Sequence, residues 1–148
     1  MLNDYLIKQQ HRGEPTCLLG DFNIALNDND IHAPNELAGG IMASEIERQM
    51  LKNMLGKRFI DSFRVFEKLS GHWSWWDYRN NSYELNKGWR IDHIYISNNL
   101  LSNLKSSVIE RSQRENIQPS DHAPVMINLD FQEDLSKFED DDDDIFNL

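Results

Sequence analysis

At 148 residues the chain is long enough for one domain with a real core and too short for two ordinary ones. Hydrophobic content of 39% with four Trp excludes a disordered chain, and no apolar run approaches the length of a membrane helix. The net charge of −10 is unevenly spread: Asp130–Leu148 holds nine acidic residues and one Lys, leaving −2 over positions 1–129. That balance neither excludes nor supports a nucleic-acid substrate, because phosphate contacts need a local basic or metal-bearing patch.

Met1–Gln10 lacks the architecture of a signal peptide, and the single Cys17 has no internal disulfide partner. Both suit a cytoplasmic protein, with Cys17 expected as a small buried hydrophobe. Leu2–Ile7 has helical spacing, as if the chain began inside a helix already packed on something. Gly13-Glu14-Pro15 breaks it, and Thr16–Phe22 reads as a short buried strand. Asn27–Gly40, rich in Asn, Asp, Pro and Gly, is a loop. Ser44 and Glu47 form a capping box for a helix running to about Leu55, with Ile46, Met50, Leu51 and Met54 on its apolar face and Gly56 ending it. A shorter helix, entered through Asp61, is predicted over Ser62–Leu69. Trp73–Tyr78 reads as an aromatic strand or strand end, and Arg79–Gly88 as a polar loop.

Ile91–Ser97 alternates too little for a surface strand and is predicted to be central and buried. Leu104–Glu110 and Pro124–Asp130 read as two more strands. This order indicates an α/β layered domain over residues 1–130. Residues 131–148 form an acidic segment predicted to be disordered, since the run Asp140–Asp144 cannot pack. Its apolar tip, Ile145–Leu148, is a candidate docking peptide for a protein partner.

Three polar clusters sit at the ends of apolar runs: Gly20-Asp21-Phe22-Asn23, Arg90-Ile91-Asp92-His93 and Ser120-Asp121-His122. Phosphodiester hydrolysis needs a water deprotonated and aimed in line, and stabilisation of the negative charge that grows on the phosphoryl and leaving oxygens. Asp21 is a candidate general base. Asn23, two residues along an extended strand end, points to the same side and can donate to a phosphate oxygen. His122 can donate to the phosphoryl group, with Asp92 holding its tautomer. Asp121 is then free for a divalent cation, for which hard carboxylate oxygens are suited. Each cluster alone has a structural explanation: a turn, an Asp92–Arg90 salt bridge, a loop cap. Together at strand ends they point to a metal-dependent phosphoesterase.

On these residues the chain resembles the exonuclease III family of apurinic/apyrimidinic (AP) endonucleases, within the endonuclease/exonuclease/phosphatase superfamily. The likeness runs from about Tyr5 to Leu129. It is carried by Gly-Asp-Phe-Asn-Ile-Ala (20–25), Asp-Asn-Asp-Ile (28–31), Phe-Arg (63–64), Ser-Trp-Trp-Asp-Tyr-Arg (74–79), Gly-Trp-Arg-Ile-Asp-His (88–93) and Ser-Asp-His-Ala-Pro-Val (120–125). Gly-Asp-Phe-Asn and Ser-Asp-His are shared across the superfamily; the two Trp-containing motifs are specific to the DNA-repair branch.

The resemblance implies that Asp21 positions or activates the attacking water, that Asn23 binds phosphate, and that Asp92 and His122 form a carboxylate–imidazole pair. Asp21, Asn23, Asp121 and His122 are implied around Mg²⁺ (or Mn²⁺). Trp75 and Trp89 are implied as walls of a pocket for a baseless sugar. Core packing is the expectation for Trp73 and Trp76. Arg79 and Arg90 are candidates for backbone phosphates, Arg90 being equally suited to pair with Asp92. His11, His32, His72 and His93 are expected to be surface or structural.

Members of the family are roughly twice this length. The implied fold is the C-terminal half of a four-layered α/β sandwich of the DNase I-like type, without the segment that supplies an Asn, a metal-binding Glu and a catalytic Tyr. The implied substrate is duplex DNA with abasic sites or blocked 3′ ends, with the complementary N-terminal half or self-association covering the open face and no membrane involved. The contrasting expectation is an inactive remnant that binds DNA or a protein without cutting.

Overall fold

The computed structural model describes residues 13–131. The helix expected at Leu2–Ile7, His11, and the acidic tail with its apolar tip lie outside the described residues.

β3 (Asp92–Ser97) is the central strand of an antiparallel sheet, with β1 (Cys17–Asp21) on one edge and β2 (Phe59–Asp61) on the other. Successive side chains of a strand point to opposite faces, and both faces of β3 are covered. Ile94 and Ile96 pack with Leu100 and Leu104 against Val125, Ile127 and Leu129. Tyr95 packs with Leu26, Leu51 and Leu55 on the other side. The near-continuous apolar run predicted for a central strand is therefore filled on both sides, from His93 to Ile96.

A second antiparallel pair, β4 (Leu104–Ile109) and β5 (Val125–Leu129), supplies the cover on the Ile94 face. The described residues also hold three α-helices, α1 (Pro34–Leu37), α2 (Glu45–Leu55) and α3 (Ser62–Phe66), and three 3-10 helices at Asp28–Asp30, Asn98–Asn103 and Arg111–Glu115. Helix α2, sheet and second sheet form successive layers of an α/β arrangement.

The α2 start is fixed as the sequence predicts. The Ser44 hydroxyl accepts from the Glu47 N–H at 3.3 Å and the Glu47 carboxylate accepts from the Ser44 N–H at 3.0 Å, a reciprocal cap of the kind that stabilises a helix by about 1 kcal/mol. At the other end Gly56 adopts φ 56°, a conformation costly for a residue with Cβ. The buried face differs from expectation. Leu51 and Leu55 are buried, whereas Ile46 and Met50 are 74% and 67% exposed. Arg48 explains the roll: its Nε donates to the Ala25 carbonyl at 3.0 Å and its Nη1 to Asp28 at 2.8 Å. With Arg48 turned inward, the inner face runs through positions 48, 51 and 55, and Ile46 and Met50 turn outward.

Helix α3 ends at Phe66, short of the predicted Leu69. Arg64 Nη1 binds the carbonyls of Glu67 and Leu69 and draws the chain out of the helix. Trp73–Tyr78 makes isolated bridges through Trp75 and forms no regular strand. Trp73 and Trp76 are buried, as the core-packing expectation required. A Cβ at Gly88 would fall 2.6 Å from the Trp73 side chain, so only glycine permits that contact. Cys17 is exposed, against expectation. It shares the outward face of edge strand β1 with Leu19, which is 63% exposed.

Among the described residues no helix is long and apolar enough to cross a membrane.

Candidate active site

The register of β1 on β3 sets Asp21 directly opposite Asp92, so both carboxylates leave the same face at the same end of the sheet. The loop entering β5 brings His122 to them. His122 Nδ1 lies 2.9 Å from Asp92 Oδ2, in position to donate, with the two side chains 31% and 13% exposed. Donation from Nδ1 leaves Nε2 as the nitrogen available to other groups.

Asn23 reaches the site by a route that corrects the sequence argument. It lies past the end of β1 at φ 51°, a left-handed conformation that Asn tolerates, so the chain turns there and is not extended. Its backbone N–H donates to Asp21 Oδ1 at 2.8 Å and its amide Nδ2 to Oδ2 at 3.0 Å. Asn23 thus fixes the Asp21 carboxylate through both oxygens.

Asp21, Asp92 and His122 each offer a ligand atom, and these atoms all lie within 4.8 Å of one another. The two carboxylates offer oxygen ligands to a divalent cation. Asp121, expected among the ligands, stands outside this group. Its Oδ2 accepts from the indole N–H of Trp75 at 2.9 Å, and its backbone carbonyl accepts from Trp76.

Of the substrate-binding candidates, Trp75 is half-buried beside the pair, bridged to His122 on one side and Trp89 on the other. Trp89 is 8% exposed and packs with Ala25, Ile31, Ala43 and Ile91, so it is a core residue here and not an open wall. Arg79 is on the surface, held by Asp77 at 2.6 Å with its side chain 82% exposed.

Arg90 departs from the expected pairing with Asp92 and lies buried among other carboxylates. It is 1% exposed; its Nε donates to Asp30 at 2.7 Å, and its Nη1 and Nη2 donate to the two Asp61 oxygens at 3.1 and 2.6 Å. Arg64 makes a further ion pair with Asp30. Burial alone would push the Asp30 carboxyl up, but the Arg90 and Arg64 guanidiniums outweigh it and hold the group below the usual carboxylate range. The same carboxylates hold Arg90 above its ordinary value against the cost of its own burial.

His93 is buried as well. Its Nε2 donates to the Ile24 carbonyl at 2.8 Å, and burial, followed by Arg90, pushes the imidazole below its ordinary value. His32 is half-buried and His72 exposed.

Sequence reasoning missed the Asp30–Arg64–Arg90–Asp61 network and the part played by Ser74, whose hydroxyl accepts from two backbone N–H groups at the start of β3. The available signal for Ser74 was a small polar residue alone between Trp73 and Trp75.

Comparison with known proteins agrees with this geometry. The model of the Endonuclease/Exonuclease/phosphatase family matches residues 2–122. An exodeoxyribonuclease of Bacillus subtilis is 34% identical over 131 residues, which cover 86% of this chain and 50% of that protein. A solved 3′ phosphatase from Neisseria, bound to a product DNA hairpin, superposes with a TM-score of 0.83 at 34% identity over 88% of this chain and 51% of that one. An AP endonuclease from Archaeoglobus fulgidus gives 0.78 at 27% identity, again over 88% and 51%. The chain therefore spans about half the length of the relatives it matches. By its motifs, its fold and these likenesses, the chain belongs to the endonuclease/exonuclease/phosphatase family.

Proposed function

We propose that this chain contributes half of a metal-dependent DNA-repair nuclease, one that hydrolyses phosphodiesters 5′ to abasic sites and removes nucleotides or blocked ends 3′-to-5′ from duplex DNA. The carrying observation is the convergence of Asp21, Asp92 and His122 at one end of the sheet. The names of the similar proteins, an exodeoxyribonuclease, an AP endonuclease and a 3′ phosphatase bound to a DNA hairpin, support the choice of substrate.

In this reading Asp21, oriented through both oxygens by Asn23, takes the proton of the attacking water. His122, its Nδ1–H held by Asp92, donates from Nε2 to a phosphoryl oxygen in its cationic form, where both ring nitrogens carry protons. Asn23 approaches the same phosphate without adding charge. Asp21 and Asp92 would hold Mg²⁺ or Mn²⁺ through their carboxylate oxygens, leaving His122 Nε2 for the phosphate. When bound, such an ion supplies positive charge where the transition state gathers negative charge. Trp75 stands at the edge of the site as the aromatic surface for a displaced sugar, and Arg79 lies outside it as a phosphate contact. The exposed Leu19 on edge strand β1 marks one place for the complementary half.

The test is incision of a duplex with one abasic site in Mg²⁺. The chain is mixed with the half of the Bacillus subtilis exodeoxyribonuclease that lies outside the match, and His122→Ala serves as control. Incision 5′ to the lesion that disappears in the variant is the expected result. A mixture in which the halves bind each other and bind the duplex yet cut nothing would overturn the nuclease reading in favour of a binding module.

A further inference from the structure

Ser74 makes contacts that belong neither to a regular ladder nor to the reactive groups themselves. Its side chain is fully buried, and its Oγ accepts from the backbone N–H groups of Ile91 at 3.1 Å and Asp92 at 3.0 Å. Consecutive N–H groups of a regular strand point to opposite sides, so their meeting on one oxygen marks a bend where the chain enters β3. Asp92 leaves the backbone at that bend.

The Ser74 backbone makes two further bonds. Its N–H donates to the Trp89 carbonyl at 2.9 Å, and its carbonyl accepts at 2.8 Å from the N–H of Ala123, the residue after His122. One residue therefore grips both the strand entry that carries Asp92 and the loop that carries His122. It does so without a hydrogen bond to either the carboxylate or the imidazole.

We infer that Ser74 is the positioning residue of the Asp92–His122 pair. Its hydroxyl fixes the backbone of Asp92, its carbonyl fixes the backbone beside His122, and the 2.9 Å bond between the two side chains is the result. The assignment of a catalytic purpose rests on the function proposed above; the hydrogen bond itself does not. Alanine at position 74 would preserve the fit but leave two buried donors with no acceptor. The strand entry would then relax toward other partners. A displacement near 1 Å at such a pair lowers turnover by about 10²-fold.

The experiment is nuclear magnetic resonance on the full 148-residue chain labelled with ¹⁵N, reading the His122 ring nitrogens and the exchange rates of individual amides without any nuclease assay. In Ser74→Ala the resonance of the His122 Nδ1 proton shared with Asp92 is expected to be lost. The Ile91 and Asp92 amides should exchange at least ten times faster, while the β4–β5 amides stay as protected as before. Ser74→Thr, which keeps the Oγ, should retain the His122 signal. An unchanged His122 signal in a folded Ser74→Ala would overturn the inference. If that variant does not fold, the parent chain decides: Ile91 and Asp92 amides that exchange as fast as exposed loop amides overturn it, and slow ones sustain it. Absence of DNA cleavage alongside an intact, Ser74-dependent His122 signal would defeat the nuclease reading and leave this inference standing.

Discussion

Arg90 and Asp92 are two residues apart at the entry to one strand, and they belong to opposite kinds of charged assembly. Arg90, with Asp30, Asp61 and Arg64, lies in a closed network in which each carboxylate meets a guanidinium and the two central groups are 0% and 1% exposed. Asp92, with Asp21, Asn23 and His122, lies in an open one: ligand atoms converge within 4.8 Å, Asp21 is exposed and His122 half-exposed. A strand sends alternate residues to the same face, but Arg90 precedes β3 and is drawn back to the 28–30 turn, where its N–H also donates to the Asp30 carbonyl at 2.9 Å. A charge saturated by partners holds structure; a charge left with open valence and access to solvent is available for chemistry.

The largest expected effect breaks the open assembly. Under the proposed function, His122→Ala or Asp21→Asn in the chain assembled with its complementary half should lower turnover by roughly 10²–10⁴-fold, since that reading has each group act on the reacting atoms. The melting temperature of the chain should move little, because neither side chain is buried. Near-normal turnover in single-turnover kinetics would remove these residues from the chemistry.

Breaking the closed assembly should do the reverse. Arg90→Met keeps the bulk of the side chain but leaves Asp61 without its guanidinium and Asp30 with Arg64 alone, a change that costs about 3–5 kcal/mol when one partner of a buried pair is removed. Urea unfolding of the chain measures it. A loss below about 1 kcal/mol would mean that water reaches the network and that its burial is not what fixes the 28–30 turn against β3.

How much of this contrast was legible in the sequence depends on the range of the contacts. Ser44 and Glu47 declare their cap within three residues, and the apolar run 94–96 declares a buried strand, so α2 and β3 were readable. The meeting of Asp21, Asp92 and His122 followed from motifs, since composition alone does not pair strand ends as distant in sequence as Asp21 and Asp92. Arg90 was misread because Asp92 is its nearest carboxylate in sequence, whereas its partners are 29 and 60 residues away. Ile46 and Met50 were misread because Arg48 decides the roll of α2, and an inward arginine is invisible to an apolar-face argument. Cys17 was misread because a short apolar run says nothing about whether its strand lies at an edge.

Acid sharpens the comparison more gently. The folded Asp30 carboxyl titrates below its unfolded value, near 3.9, because Arg90 and Arg64 outweigh the effect of burial. Its contribution to stability is therefore fully present above that unfolded value and is lost as pH falls through the folded one. One such group changes stability by at most about 1.4 kcal/mol per pH unit. Urea unfolding below pH 4 should show this decline in the parent chain, and Asp30→Asn, less stable throughout, should show a shallower one. Parallel curves would mean that other carboxylates govern acid unfolding.

The smallest effect comes from the arginine that resembles Arg90 only in name. Arg79 is held by Asp77 alone, at the surface, with 82% of its side chain in solvent. An exposed pair of this kind contributes little to folding, so Arg79→Ala should leave the unfolding curve of the chain where it was. What it can contribute is one phosphate contact, at the cost of releasing Asp77. A duplex binding titration across salt concentrations isolates that contribution: each neutralised phosphate adds about 0.9 to the slope of log affinity against log salt, so the variant should lose about one unit. An unchanged slope would assign Arg79 to Asp77 permanently and move the phosphate contact elsewhere. A lost slope with an unmoved unfolding curve would place the two arginines at opposite ends of one principle, since Arg90 is buried away from DNA and Arg79 carries no part of the fold.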